Sequence, residues 1–537
     1  MQSKQNLGCF LALSLLWWAA AAFINPIGDF PLNDDWQYAY PVKTLIENGN
    51  YDLISIFSPN IFFQVIWGYL FCLPFGEFSF TTLRFSTLSF GWIGLLFFFQ
   101  MLQKITTEKS LACWGTLLLC FNPLYFSLSF SFMTDVPFLV LMLLGIGSYF
   151  RYFETGNWKY RCLGILMGIA AFLIRQPGLL LIVAGELLLL LDKRNKKTLG
   201  QFISVFLMLC ALHLTVEKGL KPWLDISENY LSVGALYITD FIKEPHIFLF
   251  QFMKRTLMSI FYIGLLLLPF WNFILKNSRI NGWLKPSFLF FVILTNAIIA
   301  AILAHFDYIF PYGGNVFYNL GLGPILLADT WPEVINSPKL LPNWSMMSFG
   351  LVCQIYGCYI LIWIGEKIFS AVKNSRKIPL NIAQKRWIFL FFLSAAYLGL
   401  VMVISYFDRY ILLPVACLII LIIIEKSEIK KVDLTFKVTL LLFTVFSLFA
   451  TKNYLNWSRA AHLTTQNLIK KEVPIIQIDA DLAVNGFYNY PWLRNTRAMY
   501  ILTNKPLPNL IVKDSLPYFN WLKMETNYIY TLQQIKD

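Results

Sequence analysis

Residues 7–24 read Leu7-Gly-Cys-Phe-Leu-Ala-Leu-Ser-Leu-Leu-Trp-Trp-Ala-Ala-Ala-Ala-Phe-Ile24, and residues 30–49 follow as Phe30-Pro-Leu-Asn-Asp-Asp-Trp-Gln-Tyr-Ala-Tyr-Pro-Val-Lys-Thr-Leu-Ile-Glu-Asn-Gly49. The first stretch is an uncharged apolar run of the length a helix needs to cross a bilayer. The second places two carboxylates, Asp34 and Asp35, just beyond its end. An ionised side chain beside hydrocarbon costs free energy unless water or a partner solvates it, so the pair is a candidate functional site.

The rest of the chain repeats the first pattern. Of 537 residues 57% are hydrophobic, 17% aromatic and 14% charged, with 50 Phe and a mean hydropathy of +0.60. One soluble core cannot hide that much apolar surface, and the composition specifies an all-α polytopic membrane protein. Apolar runs predict about 13 transmembrane helices, near 7–24, 80–100, 110–130, 135–150, 162–175, 177–191, 199–218, 255–275, 286–305, 345–366, 387–405, 409–425 and 435–451. Read as a cleaved signal peptide, segment 1–24 would have Lys4 before the apolar run and Ala19 to Ala22 at the cleavage region. Its apolar stretch is long for a signal, and the remaining chain stays in the membrane either way.

Loop charge predicts orientation. Basic residues collect at Lys104 and Lys109, at Arg151, Lys159 and Arg161, at Lys193 to Lys197, at Lys276 to Lys285 and from Lys367 to Arg386. The positive-inside rule makes these loops cytoplasmic. Loop 25–79 carries Asp29, Asp34, Asp35, Glu47, Asp52 and Glu77 against Lys43 alone, and loop 306–344 carries Asp307, Asp329 and Glu333 against Lys339, so both are expected outside. The N-terminus is then cytoplasmic and the C-terminus extracytoplasmic, in an inner or plasma membrane, provided the apolar stretch 61–75 is re-entrant or interfacial. The net charge of +13 is mostly this loop bias and gives no reason to expect nucleic acid. Nine cysteines, mainly inside apolar runs and without CxxC spacing, suggest neither a disulfide framework nor a zinc site.

Three stretches read as non-spanning. A helix is expected over Asp34 to Asn48, with Asn33 as N-cap, Gly49 as stop, and Trp36, Tyr38 and Tyr40 suited to the headgroup layer. Loop 219–254 reads as extracytoplasmic and partly helical, and loop 306–344, with Pro311-Tyr-Gly-Gly314, as an irregular cover. After Thr451 the composition turns soluble, with a helix to about Lys471 and strand-like runs at 475–478, 510–512 and 528–532. This divides the chain into a membrane region, 1–451, and a small extracytoplasmic α/β domain, 452–537. No internal repeat is seen, which disfavours duplicated transporter folds.

In this orientation several polar residues that interrupt spans fall on the outer side: Asp34 and Asp35, Asp135 in Thr134-Asp-Val-Pro137, Arg175 in Arg175-Gln-Pro177, and Arg409 in Asp408-Arg-Tyr410. Acids that can take a proton, beside arginines that can hold an anion, suit transfer from a phosphate-linked donor. Each also has a plainer reading. Asp34, Asp35 and Asp135 fit first turns of helices, where the macrodipole favours acids. Arg175 fits a helix C-terminus, and Arg409 is placed to pair with Asp408. His213, His246, His305 and His462 form no metal-binding spacing.

The ordered set of motifs resembles the GT-C superfamily of polyprenyl-phosphate-sugar-dependent glycosyltransferases. It is most similar to the branch of the protein O-mannosyltransferases, the lipid A aminoarabinose transferase and the lipopolysaccharide galacturonic-acid transferases. The motifs are Asp34-Asp35 with Tyr38 or Tyr40, Ser58-Pro59-Asn60 to Gly76, Leu83-Arg84, Thr134-Asp135-Val-Pro137, Arg175-Gln-Pro177, and Arg409-Tyr410 with Pro414. The resemblance implies a GT-C-like fold and transfer of a sugar from a polyprenyl-phosphate donor to an extracytoplasmic hydroxyl of a lipid, glycan or protein. In it Asp34 is the base, Asp35 a supporting carboxylate, Asp135 the second-loop acid and Arg409 a contact to the lipid phosphate. Relatives often carry a basic residue before the proline pair of the re-entrant stretch, where this chain has Ser58-Pro59-Asn60. Phosphate binding would then fall to Arg175, Arg409 or Arg84. No metal set or other cofactor is expected. A transporter or flippase of a lipid-linked sugar is the alternative, distinguished by polar residues at mid-membrane rather than at span ends.

Overall fold

The computed structural model describes the chain apart from residues 1, 54–59, 107, 194–195, 225–240, 242, 276–293, 295–297, 299–314, 319–320, 328, 330–342, 376–379, 405, 427–431, 490–494, 496–497 and 536–537. Nearly all of the expected span at 286–305, Ser58-Pro59, Pro311 to Gly314 and much of the two long loops expected on the outer side lie outside the described residues.

The described membrane region is helical. In chain order it contains α1 (Gln2–Ile24), α2 (Asp35–Asn48), α3 (Phe62–Cys72), α4 (Phe80–Ile105), α5 (Lys109–Cys120), α6 (Pro123–Leu128), α7 (Asp135–Thr155), α8 (Trp158–Phe172), α9 (Leu179–Lys193) and α10 (Lys196–Leu214). After these come α11 (Pro245–Leu266), α12 (Trp271–Leu275), α13 (Asn343–Ser375), α14 (Ile382–Ile404), α15 (Leu412–Glu425) and α16 (Leu434–Lys470). Among the described residues seven helices are long and apolar enough to cross a membrane, or eight if the pair 245–266 and 268–274, bent by 64°, is one span.

Of the thirteen runs read from hydropathy, one lies almost wholly outside the described residues and several others form shorter or broken helices. The run 110–130 breaks where Asn122 caps α6, its Oδ1 accepting the Leu124 N–H at 3.0 Å, and Pro123 takes the first helical position. The helices α8 and α9 have 15 residues each and α15 has 14. At 1.5 Å per residue each is about 22 Å long, short of roughly 30 Å of hydrocarbon. The stretch 61–75 is likewise short: α3 followed by a single 3₁₀ turn, Leu73–Phe75. It lies against α4 through a Trp67 Nε1–H bond to the Ser86 carbonyl, and against the turn after α8 through a Phe63 N–H bond to the Leu173 carbonyl.

Close packing relies on glycine where two backbones meet. A Cβ on Gly264 of α11 would collide with the Cys353 carbonyl of α13, and one on Gly357 of α13 with the Ile260 carbonyl of α11. Hydrocarbon gives no hydrophobic drive to helix association, so such small-residue contacts supply the van der Waals gain.

The helix α16 has 37 residues, about 55 Å, and continues past the expected boundary at 451 without a break. Its start is capped by Asp433, which accepts the Phe436 N–H at 2.9 Å. Beyond Lys470 the chain forms β3 (Ile478–Asp479), α17 (Leu482–Asn489), β4 (Tyr500–Thr503), β5 (Leu510–Asn520) and β6 (Glu525–Gln534), a four-stranded sheet in the order β3-β4-β6-β5. The pairing of β3 with β4 is parallel and the others antiparallel, with a bulge at Val512/Asp514. A short hairpin, β1 (Phe317–Tyr318) and β2 (Gly321–Leu322), lies apart in the membrane region. The C-terminal sheet domain packs on α2, where Gly486 of α17 lets the Trp36 ring approach its backbone.

Candidate functional site

Four helix ends and one loop meet at the same end of the bundle. The first is the start of α2, where Asp34 is the N-cap residue. This shifts the cap by one from the expected Asn33, which instead takes a left-handed backbone (φ 53°) and donates its N–H to the Tyr454 hydroxyl of α16 at 2.9 Å. The C-terminal stop at Gly49 is left-handed (φ 72°), as the sequence suggests. The Asp34 carboxylate makes no capping hydrogen bond. It is turned to Arg409, whose Nη1 lies 3.4 Å from its Oδ2.

Asp135 opens α7, also without a capping bond at Thr134. It sits between two guanidiniums: Arg175 Nη1 is 2.9 Å from Oδ1, and Arg409 Nε is 3.8 Å from Oδ2. Arg175, between α8 and α9, donates its Nε–H to Thr134 Oγ1 at 2.7 Å. Tyr410 lies beside both cations, its ring centroid 5.2 Å from the Arg175 guanidinium and 5.6 Å from that of Arg409. Asp34, Asp135, Arg175 and Arg409 therefore form one continuous network. Their exposure differs in a way that matters: the Asp34 side chain is 23% exposed, against 2% for Asp135 and 4% for Arg409. Asp34 can meet an incoming molecule. Asp135 is enclosed with its cations, and neither of its oxygens nor Arg409 Nε has an aligned hydrogen-bond partner.

The remaining two expected residues are placed elsewhere. Asp35 is fully buried, and its oxygens accept the Leu32 N–H at 2.7 Å and the Phe132 N–H at 3.2 Å. It ties the entry of α2 to the turn before α7. Burial pushes its carboxyl up to about 7, opposed by the nearby Arg84 charge and by those two N–H groups. Arg84, also fully buried in α4, donates to the carbonyls of Pro26 at 3.0 Å, Gly28 at 2.6 Å and Phe30, with its guanidinium 4.2 Å from the Phe30 ring centroid. Its donors hold the loop that delivers Asp34 and Asp35.

One contributor was not singled out in the sequence, and Asp408 takes a different role from the expected one. Asn315, just before β1, accepts from Arg409 Nη1 at 2.8 Å and from Asn33 Nδ2 at 3.0 Å, bridging the first loop to the cation. Asp408 does not pair with the side chain of Arg409. It accepts the N–H groups of Val316 at 3.0 Å, Phe317 at 2.7 Å and Arg409 itself at 2.7 Å, so it fixes the hairpin over the start of α15. Burial raises its carboxyl to about 6 against those N–H groups. For Asn315 the only available signal was that loop 306–344 read as an irregular cover, which names no residue. Among the described residues no three His, Cys, Asp or Glu side chains gather.

Residues 62–217 match the family described as Dolichyl-phosphate-mannose-protein mannosyltransferase. The matched segment holds Arg84, Asp135 and Arg175, while Asp34 and Arg409 lie on either side of it. Among solved structures it is similar to the ArnT of Cupriavidus metallidurans bound to undecaprenyl phosphate, at 12% identity over 98% of this chain and 97% of that one, with a TM-score of 0.39. It is also similar to the oligosaccharyltransferase AglB of Archaeoglobus fulgidus in complex with an inhibitory peptide and a dolichol-phosphate, at 13% identity over 75% of this chain and 56% of that one, with a TM-score of 0.28. No curated protein matches the chain.

Proposed function

We propose that the protein transfers a sugar from a polyprenyl-phosphate carrier to a hydroxyl of a lipid, glycan or protein on the extracytoplasmic side. The observation that carries this is Asp34: partly exposed, without a capping bond, and 3.4 Å from a buried arginine. A carboxylate so placed can accept a proton from a substrate while the arginine beside it meets a substrate anion. The description of the family matched over 62–217 names a dolichyl-phosphate sugar donor, which supports the same class of carrier here.

In the proposed reaction the acceptor oxygen attacks the anomeric carbon and its proton passes to Asp34. The bond from that carbon to the phosphate oxygen breaks, and its electron pair leaves with the lipid phosphate. Displacement at the face opposite the leaving group inverts the anomeric centre. Arg409 and Arg175 are proposed to hold the departing phosphate. Asp135 keeps the two guanidiniums side by side, since without it two buried cations would repel. Asp35 and Arg84 are proposed as positioning residues for the loop before α2. The inside start and outside end of the chain remain part of this reading, supported by the loop charges.

Mass spectrometry of surface lipids and glycans from a strain lacking the protein tests the reading. Loss of one sugar, restored by the wild-type chain and not by Asp34→Asn, is expected. An unchanged sugar inventory would contradict it.

A further inference from the structure

At the opposite end of the bundle a cleft of about 200 Å³ opens between α4, α7 and α8, with Arg386 of α14 at its side. Along α7, Asp135 and Arg151 are sixteen residues apart, about 24 Å at 1.5 Å each, so this cleft is separate from the acid–arginine network. Its walls are apolar, including Phe97 and Leu163, and its rim carries Lys104, Arg151, Arg386 and Glu154. Phe97 lies directly on α7 because Gly147 has no side chain; a Cβ there would stand 2.5 Å from the ring.

The charges on this rim do not balance. Glu154 takes both arginines, accepting from Arg151 Nη1 at 3.0 Å and from Arg386 Nη2 through its other oxygen. Exposed Lys104 has no ion-pair partner among the described residues. Three cations thus face one carboxylate. Elsewhere at this end Arg161, Lys367 and Lys385 each meet one acid, Glu186, Glu425 and Asp192 respectively. At the cleft this surplus sits beside apolar walls. A free phosphate would use the cations and leave the apolar walls idle. A phosphate carrying acyl chains would use both, and basic pockets between helices on the cytoplasmic side are suited to anionic headgroups.

We propose that this cleft binds an anionic phospholipid of the cytoplasmic leaflet, its phosphate held by Lys104, Arg151 and Arg386 and an acyl chain laid along Phe97 and Leu163. The site stands on this rim and these walls and is independent of the proposed transfer.

Native mass spectrometry of the full chain released from detergent, titrated with phosphatidylglycerol, phosphatidylcholine or inorganic phosphate, tests it. Phosphatidylglycerol should bind at least tenfold tighter than phosphatidylcholine. The double variant Lys104→Gln/Arg151→Gln should weaken it roughly 30-fold, at about a factor of five per cation. Lys104→Gln alone, which disturbs no ion pair, should weaken it about fivefold and keeps the test open if the double variant unfolds. Equal binding of phosphatidylcholine, or unchanged phosphatidylglycerol binding by Lys104→Gln, would overturn the proposal. So would inorganic phosphate displacing the lipid at equal concentration, since the site would then be one for a free anion.

Discussion

Arg409 Nη1 lies 3.4 Å from Asp34 Oδ2, joining residues 375 positions apart in the chain. The contact exists because α2 begins and α15 begins at one end of the bundle, with Asn315 bridging Arg409 to Asn33. Replacing Arg409 by Ala removes a partner of Asp34, Asp135 and Asn315 together. Under the proposed function its transfer rate should fall by about 10²-fold or more, with the larger loss in donor use. Steady-state kinetics with donor and acceptor varied separately check this, and an unchanged donor KM and kcat would remove Arg409 from phosphate binding.

Asp135 is enclosed with two guanidiniums, so Asp135→Ala leaves buried positive charge unpaired, a change that typically costs about 3–5 kcal/mol. The thermal midpoint in detergent should drop sharply. Adding Arg175→Met to Asp135→Ala should recover part of that loss, because one of the two orphaned cations goes with it. Additive losses in the pair would show that Asp135 and Arg175 act independently.

The Asp35 carboxyl, raised by burial to about 7 from an ordinary value near 3.8, carries a pH signature. Between those values the folded chain holds a proton that the unfolded chain has released. Stability contributed by this group is therefore present at low pH, declines as pH rises through the window from about 4 to 7, and is flat above it. Asp35→Asn removes the titration while leaving one acceptor oxygen for Leu32 or Phe132. The wild type should gain stability relative to Asp35→Asn on going from pH 8 to pH 5, read as a difference in thermal midpoints. Parallel curves would mean that Asp35 is already charged in the fold or does not titrate there.

Arg84 donates to three carbonyls of the loop that carries the acidic pair. Arg84→Met should orphan them at roughly 1–3 kcal/mol each and lower the thermal midpoint. If Arg84 only positions that loop, donor affinity should suffer less than kcat, since Asp34 loses its placement while Arg409 and Arg175 remain. A collapse of donor affinity with kcat intact would instead mark Arg84 as a phosphate contact.

The gathering of Asp34, Asp135, Arg175 and Arg409 was readable in the sequence because loop charge assigns each span end to a side, and all four fall on one. What was not readable was which way each side chain turns. Asp34 and Asp35 are neighbours, about 100° apart around a helix, and only packing decides that Asp35 faces Phe132 while Asp34 faces Arg409. Arg84 likewise looks from the sequence like a candidate anion contact, and its capture by the Pro26, Gly28 and Phe30 carbonyls depends on a loop path with no sequence signature. Asn315 belongs to a long irregular loop where no periodicity marks its residues. Hydropathy located the apolar runs but not their local breaks: the run 110–130 contains the Asn122-Pro123 break, and the run 162–175 falls on a helix of 15 residues.

Single-turnover transfer by Asp34→Asn, with donor binding measured on the same preparation, tests the central claim most directly. The substitution keeps the size of the side chain and removes its ability to take a proton. The expected result is transfer slowed about 10²- to 10⁴-fold with donor affinity and thermal midpoint close to wild type. Transfer at the wild-type rate by a folded, donor-binding Asp34→Asn chain would contradict it.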